Sequence, residues 1–186
     1  RIFELLDTKQ DIKDEPDAYE LPEIKGEVRF DNLEFYYDPE KPVLKHVDFT
    51  VKPGETIALV GPTGAGKSTI VNLISRFYDP VKGRVLIDGH DIKKVTLDSL
   101  RKQMGVMVQD SFIFSGTLMD NIRYGKLDAT DEEVINAAKA VHAHEFISKM
   151  EKGYYTEVNE RGSKLSQGQK QLISFARALL ADPRIL

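Results

Sequence analysis

The sequence contains no cysteine, no apolar run long enough to cross a membrane, and no excess of basic residues. The absence of cysteine excludes disulfides and thiolate metal sites. A transmembrane helix needs about 20 mostly apolar residues, so we expect a soluble chain. The opening residues also lack the continuous apolar core of a signal peptide. The length of 186 residues predicts about one domain.

The net charge of −4 is concentrated at the N-terminus. Residues 1–26 hold eight acidic and four basic side chains, so residues 27–186 are formally neutral. A nucleic-acid-binding surface needs clustered lysine and arginine to neutralise phosphates. The charge distribution therefore argues against a nucleic-acid partner. Any phosphate bound by this chain would have to be held by local geometry.

The acidic N-terminal segment is predicted to be a linker, and the domain that follows is predicted to span residues 27–186. Residues 11–23 include Pro16 and Pro22 and show no clear periodicity. The apolar residues within 1–7 fit either the last turns of an amphipathic helix or a frayed terminus.

Four segments have the apolar patterns of β-strands. Residues 28–37 mostly alternate between apolar and polar side chains. Residues 56–60, Thr-Ile-Ala-Leu-Val, form an almost continuous apolar run, which is typical of a strand buried on both faces. Two further strands are predicted over 84–88 and 104–108, the second of them buried.

Three helices are predicted from apolar spacing and capping patterns. Residues at i, i+3, i+4 and i+7 share one helical face, and one such set is Ile70, Leu73, Ile74 and Phe77. A second set with the same spacing is Leu172, Phe175, Ala176 and Leu179. Thr130 with Glu133, and Ser166 with Gln169, have the spacing of capping boxes, which predicts that helices start at these two places.

A phosphate-binding loop is predicted at residues 61–68, Gly-Pro-Thr-Gly-Ala-Gly-Lys-Ser, which match the pattern G-x-x-x-x-G-K-S/T. Glycines let the backbone curl so that several N–H groups converge on a phosphate. Lys67 would add a point charge and Ser68 a hydroxyl for Mg²⁺. A chance match is expected in under about 1% of chains this long. The predicted nucleotide-binding residues of the loop are Gly61, Pro62, Thr63, Gly64, Ala65, Gly66, Lys67, Ser68 and Thr69.

Residues 165–169, Leu-Ser-Gln-Gly-Gln, taken alone indicate only a well-capped helix. Together with the phosphate-binding loop, in this order and separation, they resemble the ATP-binding-cassette family, whose signature is usually Leu-Ser-Gly-Gly-Gln. The resemblance covers residues 28–186. It implies an α/β fold: a P-loop NTPase core with a mostly parallel sheet, an N-terminal antiparallel β-subdomain, and a helical subdomain over roughly 111–164. Residues 1–26 would be the end of a membrane-domain helix and an acidic linker.

The resemblance also implies roles for individual residues. Two such domains would dimerise head to tail, with ATP held between one phosphate-binding loop and the other domain's signature residues, which here are Leu165, Ser166, Gln167, Gly168 and Gln169. Tyr37 would stack on adenine; Tyr36 competes for this role, but strand alternation favours Tyr37 because it shares a face with Phe35. Gln109 would contact Mg²⁺ and the attacking water, and Lys67 would act with it in catalysis. Residues 157–162 resemble an exporter segment that touches the membrane domain.

The function implied is that of an ATP-hydrolysing motor domain of an exporter at the cytoplasmic face of the membrane. Its cofactors would be ATP and Mg²⁺, and its partners a transmembrane domain and a second nucleotide-binding domain. Gln167, where the family usually has glycine, leaves open a low-turnover regulatory half of a heterodimeric exporter. A soluble cassette protein acting on DNA or ribosomes is disfavoured by the neutral charge of residues 27–186.

One part of the family pattern is not found in these 186 residues. After the position of Leu186 the family continues into an apolar strand that carries an aspartate and a catalytic glutamate, and in this fold that strand lies beside 57–60. From the sequence alone we therefore expect a polypeptide that ends at Leu186 to be inactive as an ATPase.

Overall fold

A computed structural model of the chain describes residues 3, 7, 11–107, 111–159, 162 and 165–186. The chain divides into two compact units, Arg1–Gln103 (unit 1) and Met104–Leu186 (unit 2). Among the described residues, no helix is long and apolar enough to cross a membrane.

Unit 1 is built on an antiparallel sheet of four strands, which confirms the predicted N-terminal β-subdomain. The strands are β1 (Val28–Asp38), β2 (Lys41–Val51), β3 (Lys82–Ile87) and β4 (His90–Asp91), in the order β2-β1-β3-β4. The third strand confirms the strand predicted over 84–88. The unit also contains helix α1 (Lys67–Ile74) and helix α2 (Leu97–Arg101), with a 3₁₀ turn at Ile92–Lys94 before α2.

A β-bulge in β1 decides which side chains share a face. The register of β1 against β2 shifts between Phe30 and Leu33, and Asn32 has a left-handed backbone with φ 45°. An extra residue in one strand moves all later side chains to the opposite face. Phe30, Leu33 and Phe35 are therefore all buried, and Tyr37 follows on the face of Phe35. This explains why the sequence pattern alternates only in part.

The buried strand predicted over 56–60 does not form. These residues have no regular structure, and Ile57 is 47% and Val60 89% exposed. An apolar run becomes a strand only when neighbouring strands pair with its backbone groups, and no described strand lies beside this one. Similarly, the described part of 104–108 forms only one parallel bridge, between Met104 and Ile185. The mostly parallel core sheet is thus not formed by the described residues.

The predicted helix faces are only partly correct. Helix α1 ends at Ile74, so Phe77 lies beyond it and is exposed; of the predicted face only Leu73 is fully buried.

The acidic segment predicted as a linker makes ordered contacts with the rest of unit 1. Leu21 and Ile24 are buried, and Tyr19 forms a parallel bridge with Val95. The segment lacks periodicity because it lies as an irregular chain against the unit, held by individual contacts. The domain boundary at residue 27 stays a prediction.

Unit 2 is mainly helical. Its helices are α3 (Leu118–Arg123), α4 (Asp131–Ala140), α5 (His144–Ile147) and α6 (Gln167–Leu180), with a 3₁₀ turn at Gly153–Tyr155. Two short strands, β5 (Gly116–Thr117) and β6 (Glu157–Val158), pair antiparallel. Helix α6 packs against α3 and α4 around one apolar core.

The capping box predicted at Thr130 is confirmed, but the buried face of α6 differs from the prediction. The Thr130 hydroxyl accepts from the Glu133 amide, and the Glu133 carboxylate accepts from the Thr130 amide at 2.7 Å. Lys126 and Thr130 together lower the pKa of Glu133 to about 2.

In α6 the buried residues are Ile173, Ala176 and Leu180. Phe175 and Leu179 are exposed, because α6 packs against α3 and α4 with Ile173, Ala176 and Leu180 and not with these two side chains.

Candidate functional site

The glycine-rich loop of residues 61–68 forms the first part of the candidate phosphate site in unit 1. Gly64 and Gly66 have φ of 85° and 88°, a left-handed conformation that side chains rarely adopt. A Cβ on Gly66 would also lie 2.7 Å from the Cδ2 atom of Leu44. The loop is closed by a hydrogen bond of 3.2 Å from the Ala65 amide to the Pro62 carbonyl. Glycine at position 66 is therefore favoured by the left-handed backbone, and a side chain there would also require the Leu44 side chain of β2 to shift.

Helix α1 starts directly after this loop with no side chain capping it. Gly66 is its N-cap residue and forms no side-chain cap bond. The first N–H groups of a helix have no partner within the helix, and together with the helix dipole they favour an anion. The helix N-terminus and the loop thus present backbone donors in one place.

Lys67 brings a positive charge into the loop. Its Nζ donates to the carbonyl oxygens of Gly61 and Pro62, both at 2.8 Å. The next residue, Ser68, has an exposed side chain, whereas Thr69 is buried. The ammonium group and a free hydroxyl are therefore adjacent at the start of α1, in a position to meet a phosphate and a hard metal ion.

Tyr37, at the end of β1, lies beside this helix start. Its hydroxyl shares a hydrogen bond of 3.2 Å with the Thr69 hydroxyl, and its side chain is 52% exposed. The ring contacts Phe35 and Tyr78 edge to face, at centroid distances of 4.9 and 5.0 Å. Tyr36, the neighbouring strand residue, lies where the pairing of β1 with β2 is irregular. Of the two tyrosines weighed from the sequence, the structure brings Tyr37 to the phosphate-binding loop.

One open cavity of about 340 Å³ joins these elements. Its size falls in the range of about 300–1,000 Å³ that is usual for small-molecule sites. It is lined by Tyr37, Val43, Thr63, Gly64, Gly66, Lys67, Ser68 and Thr69. Gly61, Pro62 and Ala65 were also predicted; they do not line the cavity and contribute to the shape of the loop through their backbones.

Two residues of the site were missed from the sequence. Val43 lines the cavity, and Leu44 sets the closeness of β2 to Gly66. The signal that could have found them is the β1–β2 hairpin, in which Phe35 pairs with Leu44. That register places the start of β2 next to the end of β1, where Tyr37 lies.

The signature residues form the start of α6 in unit 2, and the predicted capping box is present. The Ser166 hydroxyl accepts from the Gln169 amide at 3.2 Å, and the Gln169 side chain accepts from the Ser166 amide at 2.9 Å. Leu165 is buried in the unit's core. Gln167 and Gly168 are exposed, and a Cβ on Gly168 would meet no atom within 4 Å. The first turn of α6 is therefore rigidly capped and open to solvent.

Other predicted residues are placed only in part. Gln109 lies outside the described residues, so its contact with Mg²⁺ stays a prediction. In the segment 157–162, Val158 pairs with Gly116 in the β5–β6 ribbon, and residues 160–161 lie outside the described part. Within the described residues, no group of three or more histidines and carboxylates could hold a metal ion.

The glycine-rich loop carries a lysine and leads into a helix with no side-chain cap, beside an exposed aromatic ring. Together these features define a nucleotide-binding protein of the phosphate-binding-loop class. Comparison with known families gives the more specific assignment. A family model described as ABC transporter matches residues 44–186, and the chain belongs to this family. The resemblance inferred from the loop and the signature is confirmed.

Individual relatives agree with this assignment. An uncharacterized ABC transporter ATP-binding protein of Bacillus subtilis, YfiC, is 54% identical over 186 residues, which are 100% of this chain and 31% of that protein. An ATP-dependent lipid A-core flippase of Syntrophus aciditrophicus is 46% identical, with the same coverage of both chains. A solved bacterial Atm1-family ABC exporter with ATP bound is 47% identical with a TM-score of 0.92, over 98% of this chain and 32% of that one. The chain therefore spans about a third of the length of these relatives.

Proposed function

We propose that this chain is the ATP-binding and ATP-hydrolysing motor domain of an ABC exporter. The observation that carries the proposal is the single cavity in which Tyr37, the glycine loop and Lys67 meet. An ABC exporter with ATP bound shares the fold of this chain at 47% identity, which supports ATP as the ligand.

In this proposal different parts of the nucleotide are bound by different residues. The triphosphate would lie at the start of α1, where Lys67 and the unpaired N–H groups supply positive charge. The exposed ring of Tyr37 would stack on adenine, held in place by its contacts with Phe35 and Tyr78. Tyr37 and Lys67 line the same cavity, so one molecule can meet both.

The residues present are compatible with Mg²⁺. Ser68 offers an exposed hydroxyl oxygen beside Lys67, and Mg²⁺ characteristically takes a few protein oxygens and completes its shell with phosphate oxygens and water. Gln109 is the proposed second protein ligand. When bound, the ion would neutralise charge that develops on the phosphates during hydrolysis. Lys67 would stabilise the same charge from the loop side and hold the γ-phosphate in place.

The proposed assembly is a head-to-tail pair of nucleotide-binding domains, joined to a transmembrane domain at the cytoplasmic face of the membrane. The capped start of α6 supports this arrangement, because Ser166, Gln167 and Gly168 are exposed there and accessible to a phosphate bound by a second domain. In this pair, ATP would bridge the two nucleotide-binding domains. The proposed fold of the complete domain includes a mostly parallel core sheet. The low-turnover alternative rests on Gln167 alone, and we do not favour it.

The experiment is phosphate release by the purified full-length protein with ATP and Mg²⁺. We expect steady release from the wild type and a loss of at least about 100-fold in Lys67→Ala, because the principal charge on the phosphates is removed. Lys52→Ala is the matched control, since Lys52 is an exposed lysine of unit 1 that does not line the cavity. Equal phosphate release by Lys67→Ala and Lys52→Ala would show that the loop is not the catalytic phosphate site.

A further inference from the structure

The segment formed by residues 13–24, which we call the strap, is held on the surface of unit 1 by side chains of α2 and the residues that follow it. The Leu21 amide donates to the Ser99 hydroxyl, and the Ile24 amide donates to the Gln103 side-chain oxygen, both at 2.9 Å. The side chains of Leu21 and Ile24 are themselves buried. Backbone pairing and apolar burial together give the strap a defined position.

The start of the strap is joined to the end of α1 by a buried arginine. Arg76 follows α1, is 1% exposed, and has a left-handed backbone with φ 49°. Its guanidinium donates to the carbonyl of Lys13 at 3.1 Å, to the carbonyl of Val95 at 3.2 Å, and to the carboxylate of Asp79 at 3.1 Å. A buried charged group depends on having its donors paired. If the strap left its place, one of these donors would lose its partner.

A second connection runs from the strap through α2. The carboxylate of Asp14 accepts from the amide of Leu97 at 2.8 Å, at the first residue of α2, whose own N-cap side chain makes no cap bond. At the other end of α2, Arg101 donates to the carbonyls of Ser75 and Arg76 at 3.2 and 2.9 Å. The strap therefore reaches the C-terminal end of α1 by two routes, one through the Arg76 side chain and one through α2 and Arg101.

The opposite end of α1 carries Lys67 and Ser68. The helix has eight residues and is therefore about 12 Å long, so the Arg76 end and the phosphate-binding end are only two turns apart. A shift of α1 as a whole at the Arg76 end would move the N–H groups and the lysine at the other end.

We propose that the docked strap positions the phosphate-binding helix, with Arg76 and Arg101 as positioning residues, so that release of the strap lowers the affinity for phosphates. The inference rests on the proposed nucleotide function. It gives residues 13–24 a role in setting nucleotide affinity, in addition to their packing against unit 1.

The test uses Asp14, because it contacts the strap's docking site without touching the cavity, whereas changes of the buried Arg76 could unfold the protein. In the full-length protein we compare Asp14→Ala, Asp14→Asn, and Asp17→Ala as the matched control. Asp17 is an exposed acid of the same segment, and its removal changes the charge equally. Affinities are measured for ATP and for inorganic tripolyphosphate, which carries no base to stack on Tyr37, at a temperature where all variants are folded by circular dichroism.

We expect Asp14→Ala to weaken binding of both ATP and tripolyphosphate by roughly threefold and by no more than about tenfold, which is the limit set by the free energy of one lost hydrogen bond. Asp14→Asn keeps an acceptor oxygen and should stay within about twofold of the wild type, as should Asp17→Ala. The proposal is overturned if Asp14→Ala binds tripolyphosphate as Asp17→Ala does, or if Asp14→Asn loses as much affinity as Asp14→Ala. Lys67→Ala is measured in parallel: unchanged ATP binding in that variant would refute the nucleotide site itself, separately from the strap.

Discussion

The hydroxyl of Tyr37 lies 3.2 Å from the Oγ1 atom of Thr69, and this contact joins the end of β1 to the first turn of α1. A hydrogen bond therefore connects the Tyr37 side chain to the phosphate-binding helix α1. Since Thr69 is buried and follows Lys67 by two residues, the contact also fixes the distance between the proposed stacking ring and the proposed phosphate charge.

Removal of the Tyr37 ring should weaken ATP binding by about 1–2 kcal/mol, because the stacking surface for adenine is lost. Tyr36→Ala is the control, since Tyr36 is not among the residues that line the cavity, and it should lose much less. Tyr37→Phe keeps the ring and gives up only the bond to Thr69, so its loss should stay below about 1 kcal/mol. Affinity measured with a fluorescent nucleotide separates the variants, and GTP should compete nearly as well as ATP because it also stacks. A larger loss in Tyr36→Ala would transfer the stacking role to that residue.

Two glycines of the loop allow the effect of backbone strain to be compared with that of a steric contact made by a new side chain. Gly64→Ala and Gly66→Ala both place a side chain in a left-handed conformation, which costs about 1–2 kcal/mol. Only at Gly66 does the new methyl group also collide with Leu44. We therefore expect Gly66→Ala to lower the unfolding temperature and nucleotide affinity more than Gly64→Ala. Equal losses in thermal melts and binding assays would mean that the approach of β2 to the loop is not tight.

Gln167 can be tested by substitution with the residue that is usual in the family. Gln167→Gly should raise steady-state ATP turnover in the full-length protein, because a smaller residue lets the α6 backbone approach the γ-phosphate of a nucleotide bound by the second domain. Gln167→Ala should lie between the two. The exposed position of Gln167 at the first turn of α6 means that the fold tolerates these changes. Unchanged or reduced turnover would show that Gln167 does not limit hydrolysis.

The features that the sequence predicted well are those set by neighbouring residues. Thr130 and Ser166 cap their helices as their spacing with Glu133 and Gln169 indicated, because a capping box is closed within four residues. The glycine loop likewise carries its own conformational requirement, visible at Gly66. Such local signals need no knowledge of the remaining chain.

Features that depend on a distant partner were predicted poorly. The run 56–60 has the composition of a buried strand but forms none, because a strand requires neighbours that sequence composition does not supply. Phe175 lies on a predicted apolar face and is exposed, since the position of α3 and α4 decides which edge of α6 is covered. The sequence of residues 11–23 shows no periodicity, so it gives no sign of the contacts that Leu21 and Ile24 make with Ser99 and Gln103, far along the chain.

The proposed function depends most on the loop of residues 61–69 being the nucleotide site. The measurement that tests it most directly is the affinity of the full-length protein for a fluorescent ATP analogue in the wild type, Lys67→Ala and Lys52→Ala. We predict that Lys67→Ala loses at least about tenfold in affinity, roughly 1.4 kcal/mol, because the triphosphate loses its principal charged contact. Lys52→Ala should bind as the wild type does. Equal affinity in all three proteins would contradict the account.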